Sequence, residues 1–498
     1  MKKISLLLLI LIIQITANAQ NDLNSEQLKE DLTILGNIVT GLSPKLTAED
    51  RSRINQIIEL NRKELDGRMS NSVDFFKFLM KVDFQTKFDE HASLSITEEV
   101  LMPLLSESKL FPLPIKILET STFTNSTKSE IPFGSKIYSI NGLSIDSLLR
   151  AFTRNFDDTH SKRRLERQFS IIFLILRGSF ETFEIEYATP NNLDERQDKS
   201  ISGIDFEEYR SVFSETVFPL EQDKLKNLIN TQFYQKSSTY YLQLNSFNWD
   251  NNSKKGILHF LNSEDKNFEK KLDIIFEDIS DHNAENLIID LRFNTGGNVK
   301  VPGILYSYIT DADFLENIRI TIPDFEIPHT ELITKISGDE IDNPKKVQKF
   351  IKKYKKQFTE QNDQGYLWRL VDNIEVQPSK NSFSGNVYLL VSGRSISASA
   401  YFASLIKSNQ RGLIIGEEMG GSYKSLSAGQ ILTYQLPNTK LELETPIMEV
   451  NFSDQIHDKI NSERIKPDIL FTENEQFIYF IEKKDIEIEK TLELIKTK

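Results

Sequence analysis

The 498-residue sequence contains no cysteine. That excludes disulfides, a thiolate nucleophile and any Cys-based zinc site at once. A chain of this length has room for about three domains and can build its cores without disulfides. It also lacks a positive charge balance: 60 Lys and Arg stand against 73 Asp and Glu, a formal net charge of −13. Phosphate binding needs a basic surface, so the composition argues against a nucleic-acid partner. The local exception is KKVQKFIKKYKKQF, Lys345 to Phe358. Its apolar residues Val347, Phe350, Ile351, Tyr354 and Phe358 fall at helical spacing, which predicts a helix with a solvated basic face. Internal repeats and low-complexity tracts are absent. Beyond the N-terminus no apolar run approaches the roughly 20 residues that a membrane span needs.

The N-terminus reads differently. MKKISLLLLILIIQITANA has Lys2 and Lys3, an apolar run from Ile4 to Ile13, and small residues at Ala17 and Ala19. This is the pattern of a secretory signal cleaved after Ala19, so the protein is expected to be exported, to a periplasm or beyond the cell. With no Cys to follow it, a lipid anchor on an N-terminal Cys is excluded.

Residues 20–105 read as a helical region. SEQLKEDLTILGNIVTGL and AEDRSRINQIIELNRKEL carry apolar positions at i, i+3, i+4 and i+7, and SNSVDFFKFLMKVDF suggests a third helix capped by Ser70 or Asn71. Residues 106–205 read as short strands and turns. GSKIYSI is a strand, NG a tight turn, and SIDSLLRAF a helix capped by Ser144 or Asp146. The polar run Thr189 to Gly203 is the best linker candidate. Residues 206–475 alternate strand and helix, with NLIIDL (Asn286–Leu291) and NVYLLVS (Asn386–Ser392) as strands buried on both faces, which predicts a mostly parallel sheet. Residues 311–385 interrupt that alternation as an insertion, either a lid lined by Tyr366 and Trp368 or a helical surface excursion. Residues 476–498 form a helical tail.

Two stretches are candidates for chemistry. In NLIIDLRFNTGGNV a buried strand ends at a loop with Gly296 and Gly297. Adjacent glycines allow positive φ and let backbone N–H groups converge on an anion or oxyanion, though a plain turn has the same sequence. In VSGRSISASAYFASL a strand turns into a helix, placing Ser397 at the turn and the Ala398 N–H at the positive end of the helix. Ser397 is there a nucleophile or a helix cap. A serine nucleophile needs a base. Of His91, His160, His259, His282, His329 and His457, local context singles out none. His160 and His282 stand in highly polar surroundings and read as exposed.

Together these stretches resemble the carboxy-terminal processing (tail-specific) proteases and the tricorn-type core, serine peptidases of clan SK. Asp290, Leu291, Arg292, Asn294, Gly296 and Gly297 match one motif of that family. Ser397, Ala398 and Ser399 match a second, and Gly416, Glu417 and Gly421 a third. IPFGSKIYSINGLSI is similar to the turn of the family's PDZ-like domain. The resemblance implies an α/β fold: a crotonase/ClpP-like core, a PDZ-like β-rich domain and a helical N-terminal region. It implies Ser397 as nucleophile and an oxyanion hole from Gly296 or Gly297 with Ala398. The processing-protease branch draws its base from a Lys at the position of Ser422; the nearest Lys here is Lys424. The tricorn-like branch uses a His preceding the PDZ-like domain. KFDEHASL resembles that segment, with His91 as base and Glu463, in INSERIKPDILF, as the acid that orients it. Asp89 and Glu90 are the other carboxylates near His91. Ala400 replaces the family's acidic residue after the nucleophile motif.

The implied function is peptide-bond hydrolysis of a peptide or unfolded-protein substrate, with no metal or cofactor. Two other readings use the same fold: a catalytically silent peptide-binding scaffold, and a site for acyl-CoA or another hydrophobic ligand on the glycine amides.

Overall fold

The computed structural model describes residues 23–65, 69–82, 91–153, 158–215, 226–248, 265–362, 365–452 and 464–497. The expected signal segment, Asp89, Glu90 and Glu463 lie outside the described residues. The chain divides into two compact units. One comprises Met1–Leu104, Thr321–Leu367 and Ser427–Glu449, the other Leu105–Ile320, Trp368–Leu426 and Val450–Lys498.

In the first unit, helices Ser25–Leu42 and Ala48–Glu64 each begin in a capping box, Asn24 with Gln27 and Thr47 with Asp50. The two pack closely at Gly36, where a Cβ would lie 2.8 Å from Ile58 Cγ1. Asp31 is fully buried, and its carboxylate accepts from the Thr439 N–H at 2.7 Å and the Thr439 hydroxyl at 2.6 Å. A third helix, Ser72–Leu79, takes Asn71 as its cap. Strands Ser425–Gln435 and Glu442–Asn451 are neighbours in a sheet, Ile333–Ile336 pairing antiparallel with the former and Ser93–Ser95 with the latter. The basic helix forms over Pro344–Lys355 and buries Val347 and Tyr354, with its lysines exposed as expected. The rest of residues 311–385 departs from a helical excursion. It contributes the strands Ile333–Ile336, Asp339–Glu340 and Glu360–Asn362 here, and the strands Phe314–Ile322 and Gly365–Val376, most of whose residues belong to the second unit. Tyr366 packs on Phe325 with ring centroids 4.7 Å apart.

The second unit contains two sheets. A five-stranded sheet runs in the order Gly412–Gly416, Asn386–Val391, Asn286–Asp290, Thr239–Leu244, Ile229–Tyr234. All pairings are parallel except that of Ile229–Tyr234 with Thr239–Leu244. Apart from the exposed Asn386, strands Asn286–Asp290 and Asn386–Val391 are buried along their length, which is why they read as near-continuous apolar runs. Helices Ala398–Ser408 and Ile486–Thr497 belong to this layer. Ile488, Leu492 and Ile495 of the latter pack against Ile288, Tyr388 and Ile415.

The six-stranded sheet orders Ile115–Leu118, Ser121–Thr124, Lys136–Ile140, Thr182–Thr189 and Asn192–Ser202, with Leu143–Ser144 beside Lys136–Ile140. Asn141 and Gly142, at φ +50° and +74°, make the expected tight turn, and Ser144 caps helix Ile145–Phe152. Two expectations fail here. The linker candidate is strand Asn192–Ser202, paired antiparallel with Thr182–Thr189; a solvated edge strand can be almost wholly polar and so reads like a loop. Helix Thr159–Arg177 stands where strands and turns are expected. Its Leu165, Phe169 and Phe173, at helical spacing, join Phe111, Phe152 and Phe183 in the subdomain core. Each such Phe contributes about 1.5–3 kcal/mol by burial. Among the described residues no helix is long and apolar enough to cross a membrane.

Candidate active site

The site is built where two neighbouring parallel strands end. After Asn286–Asp290 the loop folds back, with the Asn294 N–H bonded to the Leu291 carbonyl at 2.9 Å. Gly296 and Gly297 follow at φ +102° and +140°, which an L side chain rarely adopts. A Cβ on Gly296 would lie 2.5 Å from Ser397 Cβ and 3.0 Å from both Ser397 Oγ and the Ala398 nitrogen. One on Gly297 would lie 2.6 Å from the Phe247 carbonyl carbon. Glycine is therefore required at both places by close approach as well as by φ.

After Asn386–Val391 the chain turns through Ser392–Ile396 into helix Ala398–Ser408. Ser397 sits at the turn with φ +59° and ψ −127°, a conformation that costs a non-glycine residue about 1–3 kcal/mol. Its side chain makes no capping bond to the helix, so the cap reading fails. The flanking serines are engaged. Ser395 Oγ donates to the Leu291 carbonyl at 2.7 Å and Ser399 Oγ to the Asn294 carbonyl at 2.9 Å. Ser397, 7% exposed, is the only one of the three whose hydroxyl has no hydrogen-bond partner among the described residues.

The neighbouring amides divide in the same way. The Gly296 N–H donates to Asn294 Oδ1 at 2.8 Å. Among the described residues the Gly297 and Ala398 N–H groups make no such bond. The Ala398 amide is the first of the helix, where the dipole adds partial positive charge. This arrangement can receive a carbonyl oxygen beside a free hydroxyl.

Two buried ionic clusters brace these loops. Arg292 pairs with Asp290 at 2.6 Å, Asp485 at 2.6 Å and Glu487 at 2.9 Å, while Tyr241 donates to Asp290 at 2.7 Å. Burial drives the Glu487 carboxyl up to about 7; Arg292 opposes that rise and Asp485 adds to it. The Arg292 carbonyl accepts from Ser392 Oγ at 2.6 Å. In the second cluster Arg163, on helix Thr159–Arg177, grips Glu417 at 2.6 Å and also bonds Glu166. Glu417 accepts the Gly393 N–H at 3.2 Å. Burial alone would raise the Glu417 carboxyl, but Arg163 and Lys116 hold it down at about 2.

The remaining expected residues are dispersed. His91 belongs to the first unit, half-buried, just before strand Ser93–Ser95. Lys424 belongs to the second. Its amide bonds Ser422 Oγ at 3.1 Å and its ammonium lies 5.8 Å from the Tyr423 ring centroid. His282 is exposed, as expected. His160 is not: it is half-buried, and its Nδ1 donates to the Gly393 carbonyl at 2.8 Å. Sequence reading missed it together with its helix. The available signal was Asp158, which caps that helix through the His160 and Ser161 amides, followed by Leu165, Phe169 and Phe173 at helical spacing.

Residues 238–471 match the profile of Peptidase family S41. No curated protein matches the sequence. Among solved structures the chain is similar to a CPAF mutant, with a TM-score of 0.62 at 14% identity, covering 92% of this chain and 95% of that one. It is also similar to mature CPAF complexed with lactacystin, with a TM-score of 0.58 at 14% identity, covering 95% and 99%. At that identity the likeness shows the fold alone: mixed α/β, with N-terminal helices and several sheets. Through residues 238–471 the chain belongs to peptidase family S41, the serine-type hydrolases of clan SK.

Proposed function

We propose that the protein is an exported endopeptidase or carboxy-terminal processing peptidase in which Ser397 is the nucleophile and His91 the general base, oriented by Glu463. The observation that supports this reading is the contrast among the three serines: Ser395 and Ser399 are bonded to backbone carbonyls, and the hydroxyl of the strained Ser397, close to Gly296, has no such partner among the described residues. Because Asn294 occupies the Gly296 N–H, the oxyanion amides are those of Gly297 and Ala398.

In this mechanism His91 takes the proton of Ser397 as Oγ attacks the scissile carbonyl carbon. The carbonyl oxygen becomes an oxyanion held by the two amides. Protonated His91 then delivers its proton to the leaving nitrogen as the C–N bond breaks. Water, deprotonated by His91, hydrolyses the acyl-serine and regenerates the hydroxyl. The β-rich subdomain, Leu110 to Ile204, has the role of a PDZ-like domain that takes up a substrate's C-terminal strand.

The test is labelling of the protein with a fluorophosphonate probe, with Ser397→Ala and His91→Ala beside it. Labelling is expected in the parent and lost in both variants. Loss in Ser397→Ala alone moves the base to Lys424. A folded parent that never labels, yet binds peptides, returns the silent scaffold reading.

A further inference from the structure

We propose that His160 is a positioning residue for the nucleophile, holding Ser397 in its strained conformation through the peptide unit of Gly393. The proposal rests on the reading of Ser397 as nucleophile.

Ser397 adopts a backbone conformation that persists only where its surroundings over-determine it. The segment that must supply this constraint is Ser392–Ile396, which joins the buried strand to Ser397. One side of it is held by the neighbouring strand loop, through Ser392 Oγ on the Arg292 carbonyl and Ser395 Oγ on the Leu291 carbonyl. The other side is held from the first turn of helix Thr159–Arg177. The Gly393 carbonyl accepts from His160 Nδ1 at 2.8 Å. The Gly393 N–H donates to Glu417, which Arg163 of the same helix turn fixes. Both polar groups of one peptide position are thus governed from one helix start. The approach is backbone to backbone: a Cβ on Gly393 would lie 2.6 Å from the Thr159 carbonyl carbon and oxygen and 2.9 Å from the His160 nitrogen. The His160 side chain and that of Ile396, the residue before the nucleophile, both approach Gly420. A Cβ on Gly420 would lie 2.4 Å from Ile396 Cγ2 and 3.1 Å from both His160 Cβ and Cγ, so the two side chains converge on Gly420.

The bond has a defined chemistry. A carbonyl can only accept, so His160 Nδ1 carries the proton. Nδ1 is attached to Cγ, as is the amide nitrogen of asparagine; the amide nitrogen of glutamine lies one bond further out. Asparagine can therefore replace this donor in place, whereas glutamine mimics the opposite ring nitrogen. A residue that merely fills space would not distinguish the two.

The experiment compares His160→Ala, His160→Asn and His160→Gln with the parent full-length chain. It measures the fluorophosphonate labelling rate, kcat and KM on one peptide, and the Tm. In His160→Ala, labelling rate and kcat are expected to fall about a hundredfold, the cost of a nucleophile misplaced by about 1 Å, with KM little changed. His160→Asn is expected to recover most of both, and His160→Gln neither. An alanine variant that labels at the parental rate overturns the proposal, as do asparagine and glutamine variants that behave alike. If His160→Ala fails to fold, the asparagine–glutamine contrast decides. A folded parent that neither labels nor cleaves removes the nucleophile reading. Amide exchange over residues 392–400 then decides the positioning: faster exchange in His160→Gln than in His160→Asn upholds it, and equal exchange overturns it.

Discussion

The two buried ionic clusters beside the nucleophile loop look alike and behave oppositely. Each centres on an arginine whose side chain is only 8% exposed. Around Arg163 the carboxylates are Glu417 and Glu166, and Lys116 adds a second cation 3.5 Å from Glu166. Around Arg292 the carboxylates are Asp290, Asp485 and Glu487. In the first cluster cations and anions balance, and Glu417 stays ionised down to about pH 2. In the second the anions are in surplus, burial is not offset, and Glu487 holds its proton up to about pH 7. Arithmetic of charge, more than depth, decides whether a buried carboxylate is a fixed brace or a titrating one.

The largest expected effect comes from Arg292→Met. It strands three carboxylates, one of them fully buried, and should destabilise the second unit by about 3–5 kcal/mol. Denaturant unfolding would read it, and amide protection in helix Ile486–Thr497 should fall first, because Asp485 and Glu487 moor that helix. Arg163→Met should cost less, about 3 kcal/mol, because Lys116 remains beside Glu166. Equal losses from the two substitutions would break the comparison.

The pH dependence sharpens the contrast most. The folded Glu487 carboxyl titrates near 7, above its ordinary 4.5. Its contribution to stability is therefore complete below about pH 4.5 and is lost as the pH rises through about 7. Amide exchange in helix Ile486–Thr497 should quicken over that interval, and Glu487→Gln should remove the slope. The Glu417 carboxyl is depressed, so its contribution is present above about 4.5 and is lost only as the pH falls through about 2. Protection of the Gly393 amide should accordingly stay level from neutral pH down to about pH 4.5.

Much of the fold was legible because its signals are local. Asn286–Asp290 and Asn386–Val391 are continuous apolar runs, and each forms a central parallel strand. The Asn-Gly turn and the Ser144 cap are read within a few residues of themselves. Strand Asn192–Ser202 escaped notice because a mostly exposed edge strand carries no apolar alternation, its stability coming from the ladder with Thr182–Thr189. Helix Thr159–Arg177 escaped because its polar first turns hide the apolar spacing that follows. At the site, the glycine pair and Ser397 stood out through spacing and family likeness.

By itself the sequence determined the alternation of buried strands and helices, the glycine pair after one strand and the serine turn after its neighbour. These follow from burial pattern and backbone preference, which act over a handful of residues. The tertiary structure decided which of three serine hydroxyls stays unbonded, which glycine amide is already occupied, that His160 holds Gly393, and how many carboxylates gather around each buried arginine. Apart from the Gly296 bond to Asn294, two residues away, those outcomes turn on hydrogen-bond pairing and desolvation that involve residues about a hundred or more positions apart in the chain, such as Ser395 with Leu291 and Arg163 with Glu417. Only the packed chain brings such partners within bonding distance.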